Sequence, residues 1–371
     1  MKILLPFLDP YGRRITDSQV SGGTERFCKL INDNFDVEVL QYEFETEHDY
    51  YKKTGADKVA IRREITKKMQ QEILNKAEEC NADIIINNFA WSAFCGSIVS
   101  NSHIPIMNIE HCFYPFLSIN NRFENLHKKG HSLFLVSDFQ REWYDNKIKK
   151  YTKSKFLPFG IIRPSYCTKP DILDSEYDCG TIGRCDVGKS PFKLKHMTKH
   201  TDLKTLVITA MSSSTVRFKK TNAKMDGHTR YYEKNKNWDN TVWDLKHDDV
   251  IKNISKCNTF FSTWNRETWG ITAMEALSCG IPIILNSYRN GNHASEIIPA
   301  SPSHYKKIPT NDKDALVSAI KSFENVDRKE IQEMTYEKHN QDAWKQHIKN
   351  AIDKTIETFK SHQNNLNTFI A

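Results

Sequence analysis

No stretch of the 371-residue chain approaches the ~18 consecutive apolar residues of a membrane-crossing helix, so no spanning segment is expected. The start, Met1-Lys-Ile-Leu-Leu-Pro-Phe-Leu8, is apolar only briefly before Asp9, Arg13 and Arg14, and it reads as a first strand rather than a secretory signal. The cysteines, at positions 28, 80, 95, 112, 167, 179, 185, 257 and 279, include no C-x-x-C pair. An odd, scattered set argues against a disulfide framework and a zinc site alike. Reduced thiols in a cytoplasmic protein are expected. Internal repeats are missing too. Charge of one sign does not dominate: 53 Lys and Arg stand against 46 Asp and Glu, and the resulting +7 fits any anionic ligand or none.

What is present describes a globular protein with a charged surface: 39% hydrophobic and 27% charged residues, with a mean hydropathy of -0.62. At roughly 150 residues per domain, the length predicts two domains. Apolar strand candidates at 3–7, 37–40, 84–86, 104–109, 133–136 and 155–157 alternate with helical stretches, the βαβ rhythm of a doubly wound sheet. A Pro- and charge-rich segment follows Gly160 and reads as a linker up to about Asp178. A second series then starts at 179–182 and continues at 206–208, 260–262, 281–285 and 305–308. Residues 341–359 carry Trp344, Ile348, Ile352 and Ile356 at near-helical spacing and predict an amphipathic helix. The expected divisions are 1–162, 175–340 and a terminal 341–371.

The most telling stretch is Asn265-Arg-Glu-Thr-Trp-Gly-Ile-Thr-Ala-Met-Glu275, running on to Gly280-Ile-Pro-Ile-Ile-Leu285. It follows a strand, so Glu267 and the Trp269-Gly270-Ile271 backbone fall at a strand's carboxyl end, where open α/β sheets bind ligands. On one continuous helix Glu267 and Glu275 would stand about 12 Å and 80° apart, too far to share one small group. With Glu267 in the loop and Glu275 in the helix's second turn, the amides of Trp269, Gly270, Ile271 and Thr272 lie between them as an anion site. A diphosphate there, with a hydroxylated group on each side, describes a nucleotide sugar. The plain alternative is acidic residues favouring a helix dipole, followed by a glycine stop and a core strand.

Four other segments carry candidate chemistry. Gly183-Arg184 ends a strand and Lys189 follows in the same loop, so two cations could neutralise one departing diphosphate; two solvated surface charges are the alternative. Gly22-Gly23 precedes a helix and permits close approach of backbone to ligand; a simple turn explains it equally. His111 ends the strand 105–109 beside Glu110, a position more often structural than catalytic. Residues 216–236 hold Arg217, Lys219, Lys220 and four further cations, interleaved with Phe218, Tyr231 and Tyr232. That pattern suits a phosphate backbone, although a charge run is usually a solvated face. Ser137 with Gln140 reads as a capping box.

The string Glu267-x-Trp-Gly-Ile-Thr-x-x-Glu275-Ala-x-x-x-Gly280-x-Pro282 closely resembles the E-x7-E signature of retaining glycosyltransferases of the GT-B fold, the broad family 4 group, with Trp269 for Phe and Ile271 for Leu. The Arg184 segment is similar to that group's Gly-Arg-x-x-x-x-Lys-Gly, with Ser190 in place of the final Gly. The resemblance implies two Rossmann-like domains facing a central cleft, with a C-terminal helix crossing back to the first. It implies retaining transfer from a nucleotide sugar, UDP-linked by default, to a saccharide acceptor. Gly22 and Gly23 would border the donor phosphate, Glu267 the sugar, Glu275 the ribose, and His111 would contribute a hydrogen bond or charge stabilisation near the transferred sugar. No cofactor is expected, and no Asp-x-Asp metal motif is read. Related viral enzymes modify hydroxymethylated bases in DNA, which the scattered basic groups would also suit, in a host cytoplasm. The alternatives are a nucleotide-sugar 2-epimerase, which shares the doubled architecture, and a basic nucleic-acid-binding protein with a vestigial pocket.

Overall fold

The computed structural model describes residues 1–9, 14–15, 23–43, 70–88, 102–111, 129–148, 158–211, 215, 219, 225–263, 269–287 and 302–370. The chain divides into two compact units, one of Met1–Ser165 with Trp344–Ala371 and the other of Tyr166–Ala343.

The first unit is built on six parallel strands, β1 (Ile3–Asp9), β2 (Val37–Glu43), β3 (Ile84–Asn87), β4 (Ile106–Glu110), β5 (Ser132–Leu135) and β6 (Gly160–Ile161), in the order β2-β1-β3-β4-β5-β6. Every residue of β3, β4 and β5 is buried, as parallel strands covered on both faces must be. Leu4, Ile85, Ile106, Leu133 and Leu135 pack with Ile73 and Ala77 of the helical residues 70–79. The strand expected at 155–157 lies outside the described residues.

The C-terminal helix Gln341–Ile370 joins this unit. Its buried stripe is Trp344, Ile348, Ile352, Thr355 and Phe359. Spacings of 4, 4, 3 and 4 hold one face of a 3.6-residue helix, so Thr355 takes the inward place expected of Ile356, which is only half-buried. Trp344 meets the rings of Phe27 and Phe35 at centroid distances of 6.5 and 6.1 Å and donates Nε1–H to Arg163 O at 2.8 Å.

The second unit also has six parallel strands: β7 (Tyr177–Cys185), β8 (Thr205–Met211), β9 (Thr241–Trp243), β10 (Cys257–Ser262), β11 (Ile283–Ser287) and β12 (Tyr305–Pro309). Their order is β12-β11-β10-β7-β8-β9. The chain runs outward through β7, β8 and β9, then returns to the other side of β7 with β10. That reversal puts the sheet's topological switch point between β7 and β10. Strand β9 was not foreseen; it is three residues long and half-buried at each, so no apolar run announces it.

The expected linker is packed rather than loose. Cys167 N–H donates to His339 O at 2.9 Å, Gln332 Nε2 to Pro170 O at 2.7 Å and Arg328 Nη1 to Leu173 O at 2.8 Å. These bonds bind the segment to the helix Arg328–His339 of the second unit. Gly280 shows how tightly that helix sits. Its φ is +74°, and an added Cβ would lie 2.2 Å from Arg328 O.

Candidate active site

Strand β7 delivers Arg184 to its carboxyl end, and the next five residues turn sharply. Asp186 organises the turn. Its carboxylate, 3% exposed, accepts from Arg184 Nε at 2.5 Å through Oδ2 and from Lys189 N–H at 2.7 Å through Oδ1. Arg184 is thereby held at Nε while its side chain remains exposed. Ser190 closes the turn with φ +45°, in the left-handed region where glycine is cheaper, and its Oγ–H donates to Val187 O at 2.6 Å. Sequence reasoning found both cations and missed Asp186, because an aspartate between two cations reads as a solvated charge.

On the far side of the switch point β10 ends at Ser262, and the helix Ile271–Ser278 follows after Gly270. Gly270 has φ 69° and ψ 54°, a left-handed helix entry that a side chain would strain. The amides of Ala273 and Met274 already donate to Gly270 O, at 3.0 and 3.1 Å. The four amides expected to face an anion, those of Trp269, Gly270, Ile271 and Thr272, all precede these first intrahelical bonds. Trp269 is buried, its ring edge-on to His339 at 5.9 Å. It serves the core of this unit while its backbone leads into the turn.

Glu275, in the helix's second turn, is 6% exposed. His247 Nδ1, from the first residue of the helix His247–Ile254, stands 3.7 Å from Glu275 Oε1. Nothing in the sequence singled out His247; only the packing of the two helices brings it there. Glu267 lies outside the described residues, as does Gly22. Gly23 is the first residue of the helix Gly23–Asn34.

In the first unit, His111 follows β4 and is buried. Asn88, just past β3, donates Nδ2–H to Cys28 Sγ at 3.1 Å. Asn88 Oδ1 therefore accepts from His111 Nε2–H, at 2.5 Å. Burial lowers the imidazole pKa to about 3, so at neutral pH the ring is uncharged. With Nε2–H donating to Asn88, Nδ1 is the acceptor nitrogen of the neutral ring. Glu110 is fully buried, and its backbone carbonyl accepts from Gln140 Nε2 at 2.9 Å. Ser137 caps its helix as expected, Oγ accepting from Gln140 N–H at 3.1 Å; Gln140 Oε1 reaches back to Val136 N–H at 2.9 Å, one residue before the cap.

The described part of the basic segment is packed against the second unit. Lys219 Nζ donates to Tyr232 OH at 2.6 Å and lies 4.4 Å from that ring's centroid. Tyr231 and Tyr232 pack with Phe192 and Trp243, and Tyr231 OH accepts from Phe192 N–H at 3.2 Å. Of the segment's interleaved aromatics, Tyr231 and Tyr232 are thus packed against this unit's interior. Lys236 pairs with Glu233 at 2.6 Å. Arg217 and Lys220 fall outside the described residues.

One Asp-x-Asp does occur, against expectation, at Asp312-Lys313-Asp314. Asp312 caps the helix Lys313–Lys321, its Oδ1 accepting from Ala315 N–H at 2.9 Å. Among the described residues no group of three or more His, Cys, Asp or Glu could hold a metal ion. No described helix is long and apolar enough to cross a membrane.

Two six-stranded parallel sheets, each flanked by helices and followed by a helix returning to the first unit, define the GT-B fold. The model of the family described as glycosyl transferases group 1 matches residues 219–357. Anabaena HepE, solved in complex with UDP, is similar at a TM-score of 0.65 and 12% identity, over 95% of this chain and 100% of that one. Sucrose-phosphate synthase of Thermosynechococcus elongatus gives 0.59 and 12%, over 100% and 98%. TarM of S. aureus, solved with UDP and saccharide ligands, gives 0.52 and 14% over 72% of this chain, which spans only 55% of that longer one. No curated protein sequence matches the chain. The solved structures share the fold, and the match to glycosyl transferases group 1 supports a glycosyltransferase domain.

Proposed function

We propose that the chain is a retaining glycosyltransferase that moves a sugar from a nucleoside-diphosphate sugar to a saccharide hydroxyl, without a metal. The observation that carries this reading is the Arg184–Lys189 loop, fixed by Asp186 at the carboxyl end of β7 beside the switch point. Just beyond β10 comes a helix amino terminus opened by a left-handed glycine. Two cations and the Ile271 and Thr272 amides suit the diphosphate of a leaving group. Buried Glu275 offers a carboxylate acceptor for ribose hydroxyls, and Glu267 takes the sugar. The UDP held by HepE and by TarM makes a UDP-sugar the first donor to test.

In the reaction the bond from the anomeric carbon to the phosphate oxygen breaks and the acceptor oxygen bonds that carbon on the same face. The acceptor proton passes to the departing phosphate. Arg184 and Lys189 neutralise the charge that develops there.

Incubation with a panel of UDP-, GDP- and ADP-sugars tests the donor assignment: one donor should raise the melting temperature and be slowly hydrolysed. Nuclear magnetic resonance of the product should show the donor's anomeric configuration preserved. Silence across the panel would remove the transferase reading, an inverted product would remove retention, and interconversion of the donor at C2 without acceptor would make the protein an epimerase.

A further inference from the structure

Three strand ends beside the candidate site are cross-tied by side chains that the motifs do not include. Asn286 of β11, 1% exposed, donates Nδ2–H to Thr263 O at 3.0 Å. Thr263, one residue past β10 and also buried, donates Oγ1–H to Lys189 O at 2.7 Å. Asp186 Oδ1 accepts Lys189 N–H from the other direction. A lateral chain of hydrogen bonds therefore runs from β11 through β10 to the loop after β7, over the switch point. It ends with both backbone polar groups of Lys189 held.

Asn286 is an expensive way to fill space. Among the described residues its buried Oδ1 has no hydrogen-bond partner, a burden of about 1–3 kcal/mol that an apolar side chain would avoid. What the amide contributes in return is the bond to Thr263 O. Lysine itself supplies a flexible four-carbon stem, so the place its ammonium reaches depends on how firmly its Cα is anchored.

The geometry points to Thr263 and Asn286 as positioning residues for Lys189, acting on the donor diphosphate through that lysine's backbone without touching the ligand. The inference rests on the nucleotide-sugar reading above. The alternative, that the same bonds only stabilise the sheet, makes a different prediction for a double-mutant cycle.

UDP binding to the full chain, measured by titration calorimetry with GDP and ADP run alongside, provides the test. Thr263→Val keeps the side-chain shape and should weaken binding about five- to tenfold, the equivalent of one hydrogen bond. Thr263→Ser should restore it, and Asn286→Ala should weaken it about threefold, being one bond further away. In a Lys189→Ala background Thr263→Val should change nothing more, because the route to the ligand is already cut. Equal losses in both backgrounds, or no loss in either, would overturn the inference while leaving the donor assignment intact. Failure of the unaltered chain to bind any of the three nucleotides would overturn the donor assignment and the inference with it.

Discussion

Acidification from pH 7 to pH 5 should weaken the first unit through His111, and the size of the effect follows from its burial. An exposed histidine titrates near 6.5, whereas burial holds His111 at about 3 in the folded chain. Below pH 6.5 the unfolded chain therefore binds a proton that the folded one refuses. Stability is full above 6.5 and falls by ~1.4 kcal/mol per pH unit until about pH 3. Integrated between pH 7 and 5, the loss is about 2 kcal/mol. Urea unfolding followed by tryptophan fluorescence at the two pH values measures it, with His111→Gln as control. Glutamine keeps an amide donor for Asn88 Oδ1 but cannot titrate. His347, whose pKa is also lowered by burial, is common to both proteins and cancels in the difference. The unaltered chain should lose about 2 kcal/mol more than the variant over this interval. Equal losses would show that His111 takes up a proton in the folded state near its ordinary pKa, against the effect of its burial.

Gly280→Ala combines a left-handed φ with a Cβ 2.2 Å from Arg328 O; it should cost about 3 kcal/mol or more, read as a lowered urea midpoint of the second unit's transition. Asp186→Asn keeps the shape of the turn but removes the charge that orients Arg184, so the donor KM should rise about tenfold with little change in melting temperature. An unchanged KM would mean that Arg184 finds its place without Asp186. Trp344→Ala removes a fully buried indole and its bond to Arg163 O and should cost about 3–5 kcal/mol, measured by chemical denaturation.

The contrast between what could and could not be foreseen follows the range over which each feature is determined. Strands β3, β5 and β11 were legible because burial on both faces demands an apolar run, here 84–86, 133–135 and 283–285, and that demand is local. Gly270 and Gly280 were legible for a similar reason: each stands where the backbone has positive φ. Asp186 was not legible, since its role arises only when the turn brings one carboxylate against a guanidinium two residues before it and an amide three residues after it. Nor were His247, Thr263 and Asn286, whose partners lie 28, 74 and 23 residues away in the chain. The basic segment shows the limit of composition in another way: helix Gly227–Asn235 turns Tyr232 inward to Trp243, and Lys219 packs over that same tyrosine. Cations and aromatics side by side in sequence thus acquire a binding role only if the fold leaves the aromatic faces uncovered. By the same reasoning the strength of the candidate site rests less on the spacing of Glu267 and Glu275 than on the buried ties around Lys189, which no motif spacing encodes.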